Sequence, residues 1–131
     1  MSDYHLHLHP HVDPDGETFG VAQGEYPPGH IEAYVETAAA RGVTELGFTE
    51  HLYRCKEAAP VLGRFWEAPG TPDDVAELSR AMVEADLTLS LDDYVDAVVA
   101  AKDAGLPVKL RSEVDFFPET IDAVLDLLEP Y

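Results

Sequence analysis

The 131-residue chain is of single-domain size and 46% hydrophobic, so it can bury a core and wholesale disorder is not expected. Its 26 acidic residues against 8 basic ones give a formal net charge of −18, which repels nucleic acid and anionic membrane surfaces and makes neither a default partner. With Cys55 as its single cysteine no internal disulfide can form; no early apolar run resembles a signal peptide and none reaches the ~20 residues of a membrane span, so a cytoplasmic location is expected.

Residues 3–9 alternate strictly, as a strand does, which puts Tyr4, Leu6 and Leu8 on one face and His5, His7 and His9 on the other. Residues 10–29, rich in Pro, Gly and Asp, predict a long loop. Ile31, Tyr34, Val35, Ala38 and Ala39 recur at helical spacing, with Gly42 as a left-handed stop. Residues 43–49 predict a short strand that ends at Glu50 and His51, and residues 50–70 carry few periodic signals.

A second helix is expected from Thr71, a capping residue, through Pro72 and the acids Asp73 and Asp74, with Val75, Leu78, Met82 and Ala85 as its apolar stripe. Ser90 opens a third in the same manner; Leu91, Tyr94, Val95 and Val98 share a face and Gly105 closes it. Residues 107–113 predict a strand, and Ile121, Val124, Leu125 and Leu128 mark a last helix.

Strands alternating with helices predict an α/β fold with parallel strands. An open layer of three strands would expose edges that normally pair or close, so the pattern is expected to be part of a barrel. Residues 1–131 are taken as one domain.

Three positions carry chemistry. His5 and His7, two apart on a strand, point the same way and can share a metal ion. His51 follows the second strand, at the end where α/β barrels build their sites. Glu113 ends the third strand, where a carboxylate can bridge two cations. Basic residues are scarce, yet Arg54, Lys56 and Arg64 cluster after His51 and are the candidates for holding a phosphate. Arg54 and Lys56 also flank Cys55, which could lower its thiol pKa. No second feature marks a nucleophile, so a packing or surface cysteine is expected.

The segments His5-Leu6-His7, Gly47-Phe48-Thr49-Glu50-His51 and Glu113-Val114-Asp115-Phe116-Phe117-Pro118 resemble, in order and spacing, the PHP (polymerase and histidinol phosphatase) family, and within it the histidinol-phosphate phosphatases. The resemblance covers essentially the whole chain. It implies a distorted barrel of seven strand–helix units (TIM-barrel-like), with two or three divalent metal ions at the strand carboxyl ends. It also implies hydrolysis of a phosphate monoester, histidinol phosphate of histidine biosynthesis, by a metal-activated water. On this reading His5 and His7 are the opening ligand pair, His51 the next histidine and Glu113 the bridging, catalytic glutamate. His9 and His11 are candidates for a further ligand in the loop, although neither has the family spacing, and Asp115 is either a neighbour of the ligands or part of a turn. Zinc, manganese and iron suit such donors alike.

Family members continue beyond this length with further histidines. The chain is therefore expected to be the amino-terminal part of such a domain, oligomeric through its unfinished sheet. Two rivals are a metal-binding fragment without turnover, holding zinc through His5, His7 and His51, and an amidohydrolase-type barrel, which also opens on His-x-His but fits the Glu50-His51 and Glu113-Val114-Asp115 pairings less well.

Overall fold

A computed structural model of the chain describes residues 1–10 and 21–131. In chain order the elements are β1 (Ser2–Leu6), α1 (His30–Ala39), β2 (Glu45–His51), a 3-10 turn at Leu52–Arg54, α2 (Ala59–Leu62), a second 3-10 turn at Phe65–Glu67, α3 (Asp73–Asp86), α4 (Leu91–Asp103), β3 (Val108–Glu113) and α5 (Ile121–Leu128). The fold is α/β, and the described residues form a three-stranded parallel sheet whose spatial order, β1-β2-β3, is the chain order.

β2 is the middle strand, and residues 46–50 along it are all buried. It pairs with β3 in unbroken register, from Leu46 opposite Val108 to His51 opposite Glu113. Pairing with β1 is irregular: Asp3 lies opposite Leu46 and Leu6 opposite Phe48, so β1 takes one more step than β2 over that stretch. The extra residue breaks the strict alternation expected over residues 3–9. Tyr4 therefore joins the face of His5, packing beside Gly47 with the Arg111 guanidinium 4.8 Å from its ring. A Cβ on Gly47 would come 3.0 Å from the Tyr4 Cα, so glycine permits this approach.

The core lies on the other face of the sheet, where Leu46, Phe48 and Val108 meet Ile31 of α1 and Leu91, Tyr94 and Val98 of α4. The Tyr94 hydroxyl, fully buried, lies 2.7 Å from Phe48 O and 2.8 Å from Arg111 O and so fastens α4 to β2 and β3. α4 starts as its sequence requires: Ser90 Oγ accepts from the Asp93 N–H at 3.2 Å, and Glu57 accepts from Ser90 Oγ and the Leu91 N–H. Gly42, at φ +79°, takes the left-handed conformation just past α1.

One expectation about the helices is corrected, and two apolar helix faces lie largely in solvent. α3 forms where expected, but among the described residues no side chain caps it: Pro72, in extended conformation, holds the N-cap position in place of Thr71. Its apolar stripe is not core, for Val75, Leu78 and Met82 are 47%, 68% and 56% exposed. Helical spacing fixes which residues share a stripe, not what covers it, and α3 packs instead on the two 3-10 turns. Leu125 of α5 is exposed for the same reason, while Val124 beside it is buried. Among the described residues no helix is long and apolar enough to cross a membrane.

Candidate metal centre

Parallel strands aligned in one direction end on one edge of their sheet, and the donors collect there. His51 ends β2, Glu113 ends β3, and His7 follows directly on β1. His51 and Glu113 are register partners, so their side chains leave the sheet side by side on the face away from α1 and α4. The Glu113 Oε2 atom lies 3.2 Å from His5 Nε2, 3.5 Å from His7 Nε2 and 3.6 Å from His51 Nδ1. The His7 and His51 rings meet edge to face at 4.5 Å, and the His5 and His7 rings stack at 5.5 Å.

These spacings suit a shared cation. Donors each about 2.1 Å from one ion, at tetrahedral angles, stand roughly 3.4 Å from one another. His5, His7 and Glu113 offer ligand atoms that all lie within 4.8 Å of each other, and His51 joins them through Glu113. Glu113 Oε2 is buried and accepts no hydrogen bond among the described residues, an arrangement that costs free energy unless a cation or proton donor meets it. The donor set of imidazoles and a carboxylate thus fits a divalent ion. His5 is 70% exposed and His7 and His51 are below 20%, so the cluster opens to solvent on the β1 side.

The remaining sequence candidates separate. His11 lies outside the described residues. His9 turns away from the cluster and is fully buried between His30 and Tyr26, whose rings stand 5.5 and 5.0 Å away. Among the described residues neither of its ring nitrogens has a hydrogen-bond partner, and burial, with repulsion from His30 and Arg54, pushes its pKa down to about 4.

Arg54 is corrected. Its guanidinium is fully buried and engaged by Glu50, by the carbonyls of His9 and Pro10 and by Gln23, so it has no open side for a phosphate. Lys56 is exposed, and Arg64 is exposed and paired with Glu67 at 3.1 Å. Cys55 is a packing residue: burial pushes its thiol up to about 12 despite the nearby Arg54, against the lowering that its basic neighbours suggested. Asp115 is exposed beyond the end of β3.

Sequence reasoning passed over four residues that support the cluster. Glu50, His30 and Tyr34 hold the chain just after His7. The signal for Glu50 was available, since an acid inside an apolar strand with an arginine four residues on suggests a buried pair. Tyr53, whose ring lies 4.9 Å from that of His51 and whose hydroxyl reaches Asp86 at 3.5 Å, gave no such signal. No protein-family description, curated protein or solved structure matches this chain.

Proposed function

We propose that the chain is the amino-terminal, metal-holding part of a metal-dependent phosphoesterase of PHP type, with a phosphate monoester as substrate and histidinol phosphate as the specific candidate. One observation carries the reading: ring nitrogens of His5, His7 and His51, brought in by β1 and its continuation and by β2, lie 3.2 to 3.6 Å from Glu113 Oε2 of β3 at one edge of the sheet. A spatial strand order equal to the chain order supports the wider fold inference, a barrel of seven strand–helix units of which this is the beginning.

His5, His7 and Glu113 would hold the ion, zinc, manganese or iron, with His51 sharing Glu113 with them. A divalent cation in that place supplies an acidified water and offsets charge on phosphoryl oxygens. Glu113, with one carboxylate amid three imidazoles, keeps the cluster's charge low enough to accept the ion and is the group that a second ion would share. Lys56 and Arg64 remain as candidates for gripping the phosphate, both able to reorient at the surface. No membrane or nucleic acid is inferred as a partner.

The test is metal content after dialysis against zinc or manganese, paired with phosphate release from histidinol phosphate and from an aryl phosphate. Metal bound through His5 and His7, with hydrolysis abolished by a chelator, is the expected result. A chain that binds no ion and releases no phosphate would sink the proposal.

The burial of Arg54 favours a second reading, that of a metal-holding unit without turnover, because it removes one of the three basic groups expected to grip phosphate. Bound metal with no hydrolysis by this chain, and none when it is supplied with the domain's later strands, selects that reading.

A further inference from the structure

Residues 8–10 leave the sheet directly after His7, and their backbone groups lose the ladder partners a strand would provide. Buried backbone groups need replacements. Here side chains supply them all. The Leu8 and His9 N–H groups both donate to Glu50 Oε1, the second at 3.2 Å. Leu8 O accepts from His30 Nε2 at 3.1 Å and from the Tyr34 hydroxyl at 3.2 Å. Arg54 donates to His9 O and to Pro10 O, each at 2.9 Å, and closes the arrangement with a 3.1 Å ion pair to Glu50 Oε2. Pro10 has no N–H to satisfy.

Glu50 also stands immediately before His51 on β2, with its side chain on the opposite face of the strand. One residue therefore steers the chain beyond His7 through its carboxylate and carries His51 through its backbone. Both Glu50 and Arg54 are essentially without solvent exposure. A buried ion pair contributes little net stability compared with apolar packing of the same volume, so stability alone is a weak reason for one at this place.

We infer that Glu50 and Arg54 are positioning residues for the metal centre, clamping the end of β1 to the end of β2 so that His7 and His51 both reach Glu113. The inference rests on the metal-centre reading. The clamp acts through backbone geometry and touches no ion itself. Its removal loosens the angle and distance between imidazoles, leaving the ligands in place but badly aimed. Groups that orient ligands in this way are worth about 10- to 100-fold in metal affinity.

The experiment is a cobalt(II) titration of the chain near neutral pH, read by the visible absorption that reports ligand geometry. The Glu50→Gln variant keeps an oxygen for the Leu8 and His9 N–H groups but turns an amide N–H₂ toward Arg54. It should bind cobalt about 10- to 100-fold more weakly, with a changed visible spectrum. Tyr34→Phe removes only the hydrogen bond to Leu8 O and perturbs the fold least; it should weaken binding several-fold in the same direction, and it decides the matter if Glu50→Gln does not fold. Glu57→Gln, which disturbs the start of α4, serves as a control of similar structural cost and should leave affinity and spectrum unchanged. If folded Glu50→Gln or Tyr34→Phe binds cobalt as the wild type does, with the same spectrum, the clamp is wrong. Equal weakening by Glu57→Gln would also overturn it, by showing a general loss of structure. A wild-type chain that takes up no cobalt would refute the metal centre itself, a different result from either.

Discussion

Replacing Glu113 by Gln keeps the volume and one ligand oxygen but removes the single negative charge that three imidazoles surround at 3.2 to 3.6 Å. The size of the effect follows from the donor count. Structural zinc sites of four protein ligands bind with roughly 10–16 kcal/mol, so each ligand carries on the order of 2.5–4 kcal/mol. At about 1.4 kcal/mol per tenfold, losing the carboxylate should weaken the first ion by roughly 10²- to 10³-fold. A second ion that depends on the same carboxylate should be lost altogether. Without metal the variant should be no less stable than the wild type, because it removes the charge from the buried Oε2 position. Zinc titration against a chromophoric competitor gives the affinity, and urea unfolding in the presence of chelator gives the stability. Unchanged zinc affinity in a folded Glu113→Gln chain would remove Glu113 from the site and refute the reasoning.

Tyr94→Phe leaves the Phe48 and Arg111 carbonyls without the hydroxyl beside them and opens no cavity larger than one oxygen, so it should cost about 1–3 kcal/mol in urea unfolding; a loss below 0.5 kcal/mol would show that the hydroxyl does not fasten the two strands. His9 refuses, down to about pH 4, a proton that the unfolded chain accepts near 6.5, so its contribution is full above 6.5 and lost as pH falls toward 4. The stability advantage of wild type over His9→Phe should therefore shrink between pH 7 and pH 4.5, and a difference independent of pH would contradict the buried, neutral imidazole. Cys55, buried and with its thiol raised to about 12, should resist a thiol reagent in the native chain and react fully in urea, whereas rapid native labelling would place it at the surface.

Local sequence determined much of this protein. Period-3.6 spacing and the Ser90 cap specify α4, the residue types at 46–50 make a buried strand, and placing one histidine or carboxylate at each strand end needs no long-range information. The cluster of His5, His7, His51 and Glu113 was legible because parallel strands bring their ends together whatever else the chain does. Tertiary structure decided the rest. The slip between Asp3 and Leu6 moved Tyr4 to the histidine face, and the turn after His7 sent His9 into the core, since pairing register depends on the partner strand and not on the alternation within one. Val75, Leu78 and Met82 have the spacing of a packed face but stand in solvent, because a stripe cannot name its cover. Arg54 read as a free cation from its neighbours in sequence. Only the fold placed it against Glu50 and the carbonyls of His9 and Pro10, where the cost of burying its charge is offset by hydrogen bonds that no local pattern specifies.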